Sequence, residues 1–317
     1  MGKRLIAYAT GDIHFHDWKT FNENVERTKV TINFLSHLMI QAKNNNVPIF
    51  HTGDLFHTPK GLTTKTYVMF SNFMVTVRED YLGVKIYGIT GNHDSDQGYS
   101  LWDAVCNSYP DTFINLDNGY KSFEGFTVFG IPYAKRNERV IRKIESHAIH
   151  PSDKKIILLH TALYGAPDPS GYELEPENLP RNLNALFKDF DLVLAGHVHK
   201  HTAVDDNIIM VGAPNQQRKS DSGCEMGYLE IYDDFSVKFV KFATPQFRYY
   251  KEGEEHEDTW DFWIEIKKPK KLKKGSEASF KPSMDREKMA RRYAEETGIT
   301  SPRKIKALIN VLKQTDD

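Results

Sequence analysis

Five short apolar runs punctuate the first two-thirds of the chain: residues 4–10 (RLIAYAT), 47–52 (VPIFHT), 84–90 (VKIYGIT), 155–160 (KIILLH) and 191–196 (DLVLAG). Each is nearly continuous rather than alternating, the pattern of a strand buried on both faces. Between the first two, Val25, Ile32, Leu35, Leu38, Met39 and Ala42 fall near helical spacing, and residues 62–79 and 136–149 read as further helices. The first half therefore has a βαβ rhythm. From about residue 112 the pattern shifts to short strands at 113–116, 120–123, 126–131, 207–212, 225–233 and 235–243. Turns such as Asp233-Asp234 predict antiparallel hairpins there. Two packed sheets with helices outside accommodate both halves, an α/β fold. After Pro245, residues 246–266 read as one or two more strands, and KKPKKLKKGSEASFKP (267–282) as a basic flexible linker. Ser283 is a candidate cap for a helix reaching Thr297 and stopped by Gly298, and Ser301-Pro302 starts a second.

Polar residues cluster directly behind the apolar runs. They are Asp12 and His14 in GDIH, Asp54 and His57 in GDLFH, Asn92, His93 and Asp94 in GNHD, His160 in LLH, and His197 and His199 in GHVH. Glycine followed by aspartate is common at turns, so one such fragment alone is weak evidence. Five of them, each at the carboxyl end of a buried strand, converge on one crevice. Oxygen and imidazole donors without thiolate suit hard or borderline divalent ions, Mn²⁺ first, then Zn²⁺ or Fe²⁺. Two such ions, about 3.5–4 Å apart, need a shared carboxylate and can clamp both the attacking and the leaving oxygen of a phosphate. With Asp12 and Asp54 the only carboxylates among the expected ligands, two divalent ions leave the pocket cationic.

This order of motifs resembles the calcineurin-like metallophosphoesterase superfamily, whose members carry D-x-H, G-D, G-N-H-[DE], H and G-H-x-H in that sequence. The resemblance implies a four-layer αββα sandwich with a short C-terminal cap and a helical tail. It implies one metal on Asp12, His14, Asp54 and His199, and a second on Asp54, Asn92, His160 and His197, with Asp54 bridging. It also implies that His93 lies over the substrate phosphate, oriented by Asp94. Within the superfamily, GDLFHTPKGLTTKTYVMF (53–70) and VGAPNQQRKSDSG (211–223) are similar to the SbcD-type DNA repair nucleases, although Ala213 stands where Ser or Thr is more usual. His57 matches a histidine associated there with exonuclease action, and Arg218 and Lys219 of the second stretch are expected to bind substrate. The likeness spans residues 5–245, and compact versions of this kind resemble those of bacteriophages. It implies a Mn²⁺-dependent nuclease, exonucleolytic on duplex ends and endonucleolytic on single strands. Its implied partners are DNA, a second copy of the chain, and an SMC-like coiled-coil ATPase docked by C-terminal helices. The expected organisation is a nuclease domain (1–245), a short cap (246–266), the linker (267–282) and a partner-binding segment (283–317).

Competing readings are a small-molecule or cyclic-nucleotide phosphodiesterase, and a non-catalytic adaptor. Phosphoprotein phosphatases of the superfamily carry GDxVDRG and GNHE, which GDLFHTP and GNHD do not match. His16, Asp17 and His51 are expected beside the site rather than in it. His147, His150, His201 and His256 read as surface histidines, and Tyr249, Tyr250, Trp260 and Trp263 as strand core rather than base-stacking platforms.

Composition changes this picture in two ways. Cys106 and Cys224 are the only cysteines among 317 residues, which excludes a disulfide framework and points to a reducing cytoplasm. No apolar run approaches a membrane span. The net charge of −1 conceals a division: residues 267–317 carry 15 Lys or Arg against 7 Asp or Glu, the remainder 27 against 36. The acidic body would repel a polyanion unless bound metal reverses the local field. If the basic tail docks an ATPase, deleting residues 283–317 is expected to abolish co-purification with it yet spare hydrolysis of small phosphodiesters. Unchanged co-purification would contradict the docking role.

Overall fold

The computed structural model describes residues 2–17, 27–58, 62–135, 137–152, 154–166, 182–244, 246–249 and 263–266. The chain divides into compact units at Met1–Lys268 and Pro269–Asp317. The linker and C-terminal helices expected at 267–317, His256, and the side chains of Tyr249, Tyr250, Trp260 and Trp263 lie outside the described residues.

In chain order the elements are β1 (Leu5–Thr10), α1 (Arg27–Asn45), β2 (Ile49–His51), α2 (Thr64–Asp80), β3 (Ile86–Gly88), β4 (Ser95–Asp96), β5 (Tyr99–Ser100), α3 (Leu101–Ser108) and β6 (Phe113–Asn115). There follow β7 (Tyr120–Phe123), β8 (Phe126–Ile131), α4 (Asn137–Ala148), β9 (Lys155–His160), α5 (Leu183–Phe187), β10 (Leu192–Gly196), β11 (Thr202–Asp205), β12 (Ile208–Met210), β13 (Gly227–Tyr232), β14 (Val237–Lys241), β15 (Gln246–Tyr249) and β16 (Trp263–Ile266). One six-stranded sheet runs β14-β13-β1-β2-β3-β6 and the other β11-β12-β10-β9-β8-β7. β15 and β16 pair in parallel as a separate small sheet.

Alternate side chains along the central strands divide the apolar residues among three layers. In β9, Ile156 and Leu158 face the other sheet, meeting Ala9, Phe50 and Ile89 alongside Leu194 of β10. Ile157 and Leu159 face outward onto Val140 and Ile144 of α4 and Phe187 of α5. The first sheet buries Tyr8, Ile49 and Ile86 against Phe34, Leu38, Phe70 and Phe73 of α1 and α2, and Trp102 of α3. Helices therefore lie outside both sheets, the αββα sandwich. Helix starts follow local chemistry: the Thr63 hydroxyl accepts from the Thr66 amide at 3.1 Å, and Ser100 caps α3 through the Asp103 amide at 3.2 Å.

Two expectations are corrected. The strands after residue 112 are not all antiparallel. β6 adds in parallel to β3, β8 to β9 and β12 to β10, leaving only β7–β8, β11–β12 and β13–β14 as hairpins of the two large sheets. Nor is His147 a surface residue. It lies seven positions after Val140 and three after Ile144, on the same buried stripe of α4, with its ring 4.9 Å from that of Phe129. His201 is half-buried, stacked on Phe239 at 4.3 Å with its Nδ1 donating to the Met210 carbonyl.

Burial, aided by Lys143 and His150, pushes His147 down to about 4, and burial pushes the His51 imidazole, packed on Trp102, down to about 3. A histidine depressed this way binds its proton first in the unfolded chain, whose reference is about 6.5. Stability is therefore expected to be full above that pH and to fall as pH drops from about 6.5 towards 4. His147→Leu should flatten this slope in denaturant titrations across that range, and an unchanged slope would contradict the assignment.

Candidate metal centre

The carboxyl ends of β1, β2, β3, β9 and β10 carry the five fragments, and backbone hydrogen bonds lock the first two together. The Asp12 amide donates to the Gly53 carbonyl at 2.9 Å and the His14 amide to that of Asp54 at 3.0 Å. Asp12 and His14 (φ 49°), Asp54 (φ 59°) and His197 (φ 89°) all adopt the left-handed backbone region. Side-chain residues avoid that region, so four instances at one strand-end cluster mark strain held for a purpose. Gly91 is required by close approach, because a Cβ there would stand 2.0 Å from Asp54 Oδ1.

The chelating atoms fall into two sets joined by Asp54. Ligand atoms of Asp12, His14 and His199 lie within 4.8 Å of one another, and His14 Nε2 is 3.2 Å from His199 Nε2. In the other set, the Asn92 carbonyl oxygen is 2.9 Å from both His160 Nε2 and His197 Nδ1. Asp54 Oδ1 accepts the His93 amide at 2.7 Å, which leaves Oδ2 between His14 Nε2 (3.6 Å) and His160 Nε2 (3.3 Å). Outside these sets, His57 and His93 stack at 5.1 Å and 15°, and His57 Nδ1 is 3.2 Å from His14 Nδ1. Arg218 is exposed at the rim, near enough for its charge to act on His197, and Lys219 opens the short turn Lys219–Asp221. His16 lies edge-on to His57 at 4.8 Å, and Asp17 pairs with Lys65.

The supporting atoms explain which nitrogen faces inward. His160 Nδ1 donates to the Thr52 carbonyl at 2.7 Å, and His199 Nδ1 to Asp221 Oδ2 at 3.0 Å. Each commitment turns Nε2 toward the cluster, the arrangement metal-binding histidines adopt. Asp12 receives the His197 amide on both oxygens, at 3.1 and 3.0 Å.

Asp94 has a different task from the expected one. Its buried carboxylate accepts four amides, from Asp54 (2.8 Å), Leu55 (3.3 Å), Phe56 (2.9 Å) and Gly91 (3.0 Å). The His93 ring is instead held by the His57 carbonyl, 2.7 Å from Nδ1. Asp94 thus sews the GNHD loop to the GDLFH loop. Sequence reading also missed Asp221, Thr52 and Tyr133. Asp221 gives a local sign, because Oδ2 accepts the Gln217 and Arg218 amides in the pattern of a short polar turn, whereas Thr52 acts through its carbonyl, which any residue supplies.

Electrostatics favour positive charge at the shared aspartate. Burial alone would raise the Asp54 carboxyl, but the charge and hydrogen bond of His160, then His14 and His93, hold it well below the usual range. Burial alone would lower His160, yet Asp54 and then Asp12 push it up to about 9. Burial pushes His57 and His197 down to about 4 and keeps His14 well below its ordinary value, so these rings are neutral donors at pH 7. Imidazoles, two carboxylates and an amide oxygen, all without thiolate, are the donor set that divalent cations take once His160 gives up its proton. The residues fit a pair of ions, with Asp54 shared.

The model of the calcineurin-like phosphoesterase family matches residues 7–201. The chain belongs to that family. It is a metal-dependent phosphoester hydrolase with a dinuclear centre, and the donor sets above are its candidate ligands. Among solved structures this phosphoesterase is similar to TT1561 of Thermus thermophilus, at 15% identity over 75% of this chain and 98% of that one, TM-score 0.45. It is similar to a dimetal phosphatase from Danio rerio, at 12% identity over 76% and 100%, TM-score 0.46. A third similar structure is Pseudomonas putida nuclease MPE, at 14% identity over 82% and 78%, TM-score 0.30. No curated protein matches the chain. Among the described residues, no helix is long and apolar enough to cross a membrane.

Asp94→Ala would leave four amides without their acceptor, at about 1–3 kcal/mol for each buried unsatisfied group. The expected result is a stability loss on the order of 3–5 kcal/mol in denaturant titration, together with weakened metal binding. A variant as stable as the parent would remove the clamp role.

Proposed function

We propose that the chain is a Mn²⁺-dependent DNA nuclease, acting exonucleolytically on duplex ends and endonucleolytically on single strands. The observation that carries this reading is the His57–His93 stack beside the two donor sets, because His57 belongs to the stretch most similar to SbcD-type nucleases. Two bound cations would supply charge neutralisation at the phosphate and a hydroxide nucleophile at neutral pH. Asp12, His14, Asp54 and His199 would hold one, and Asp54, Asn92, His160 and His197 the other.

The chain's own groups complete the chemistry. In its protonated form His93 donates Nδ1–H to the His57 carbonyl, so Nε2–H is left to donate to a phosphate oxygen or to pass that proton to the leaving oxygen. The neutral His57 ring, stacked on that imidazole, fixes its plane. Arg218 and Lys219 are proposed to hold flanking phosphates. The chain acts in this reading as the nuclease subunit of an SMC-like ATPase complex in the cytoplasm, as a homodimer, with residues 283–317 as the docking element.

With end-labelled linear duplex DNA and Mn²⁺, the wild type is expected to release nucleotides. Asp54→Ala should abolish release, and His93→Ala should slow it by about 10²–10⁴-fold, the usual contribution of general acid catalysis. Metal-dependent cleavage that survives both changes would remove the assignment. Hydrolysis of cyclic nucleotides with no action on DNA would favour the small-molecule phosphodiesterase.

A further inference from the structure

Tyr133 follows β8 on a loop pinned to the centre, its amide donating to the Thr90 carbonyl at 3.0 Å, immediately before Gly91-Asn92. Thr90 is itself fixed by Asp117, which accepts its amide at 2.8 Å and its hydroxyl at 2.6 Å. The Tyr133 ring lies nearly parallel to His197, with centroids 6.2 Å apart at 26°, and edge-on to His160 at 6.3 Å and 78°. It belongs to none of the apolar clusters of the described core and is only half-buried. An aromatic ring outside the core, beside two donor imidazoles, is placed for a ligand rather than for packing. A ring beside a donor imidazole matches the base of a nucleotide whose phosphate meets the donors. A phosphoserine or a simple alkyl ester would gain nothing from the ring.

We propose that Tyr133 is a specificity determinant, the wall on which the nucleobase next to the scissile phosphate stacks on the Asn92–His160–His197 side of the centre. This rests on the nuclease reading and narrows its substrate to nucleic acid with an unpaired base at the cleaved position, since a base within duplex stacking has no free face.

The test compares single-stranded oligonucleotides that differ only in carrying a base or an abasic sugar at the cleaved position, with the full chain and Mn²⁺. Stacking on one aromatic ring is worth roughly tenfold or more in discrimination. The wild type should therefore favour the base-bearing oligonucleotide by about that factor in kcat/KM. Tyr133→Phe should keep the preference, because the ring remains. Tyr133→Leu should lose it, because kcat/KM falls further for the base-bearing substrate than for the abasic one. Equal slowing of both substrates by Tyr133→Leu would make the residue a packing group for His197 and overturn the proposal, as would a preference that survives in that variant. A wild type that hydrolyses bis-p-nitrophenyl phosphate but neither oligonucleotide removes the nuclease reading, and the subsite with it.

Discussion

Nitrogen and oxygen donors crowd together at the strand ends, and the rest of the molecule is arranged to hold them there. His14 and His199 point Nε2 atoms at each other across 3.2 Å, and the Asn92 oxygen meets two imidazole nitrogens at 2.9 Å. Each contact is satisfied either by a proton on an imidazole nitrogen or by a cation placed among the donors. The arrangement is geometrically costly, because Asp12, His14, Asp54 and His197 all hold left-handed backbone to reach it. The parallel strands offset that strain by anchoring each loop at its base, and Asp94 ties two loops together through four amides. Rigid sheets, clamped loops and oriented imidazoles are thus one design: a donor cage set before the cation enters.

Charge distribution gives the cage its selectivity. Residues 1–266 carry 27 basic and 36 acidic groups, so a polyanion is repelled from most of that surface. The cluster favours positive charge at Asp54, whose carboxylate pushes the buried His160 up to about 9. Attraction for phosphate then depends on charge at the ligands themselves, with the exposed Arg218 adding to it.

Much of this was legible in the sequence because continuous apolar runs have few alternatives to buried strands, and polar residues at their ends have few places to go but one crevice. Helices predicted at 62–79 and 136–149 correspond to α2 (Thr64–Asp80) and α4 (Asn137–Ala148). Strand direction was not legible after residue 112, because β8 and β12 pair in parallel with strands remote in sequence while their hairpin partners lie beside them. The eight-residue α3 and the β4–β5 hairpin, turned by Gln97-Gly98, are too short to show periodicity. The same limit governs the site. Residues whose type carries the chemistry stand out, whereas Asp94's role follows from backbone amides that no residue type reveals, and the Tyr133 ring reaches His197 because β8 and β10 flank β9 in one sheet.

Two cations bridged by Asp54 would be coupled to each other magnetically. Titrating the metal-free chain with Mn²⁺ while recording its electron paramagnetic resonance spectrum reads both their number and their coupling. The expected outcome is saturation at two ions per chain, with the isolated-ion six-line signal replaced by that of an exchange-coupled pair. Saturation at one ion, or two ions that remain magnetically independent, would contradict it.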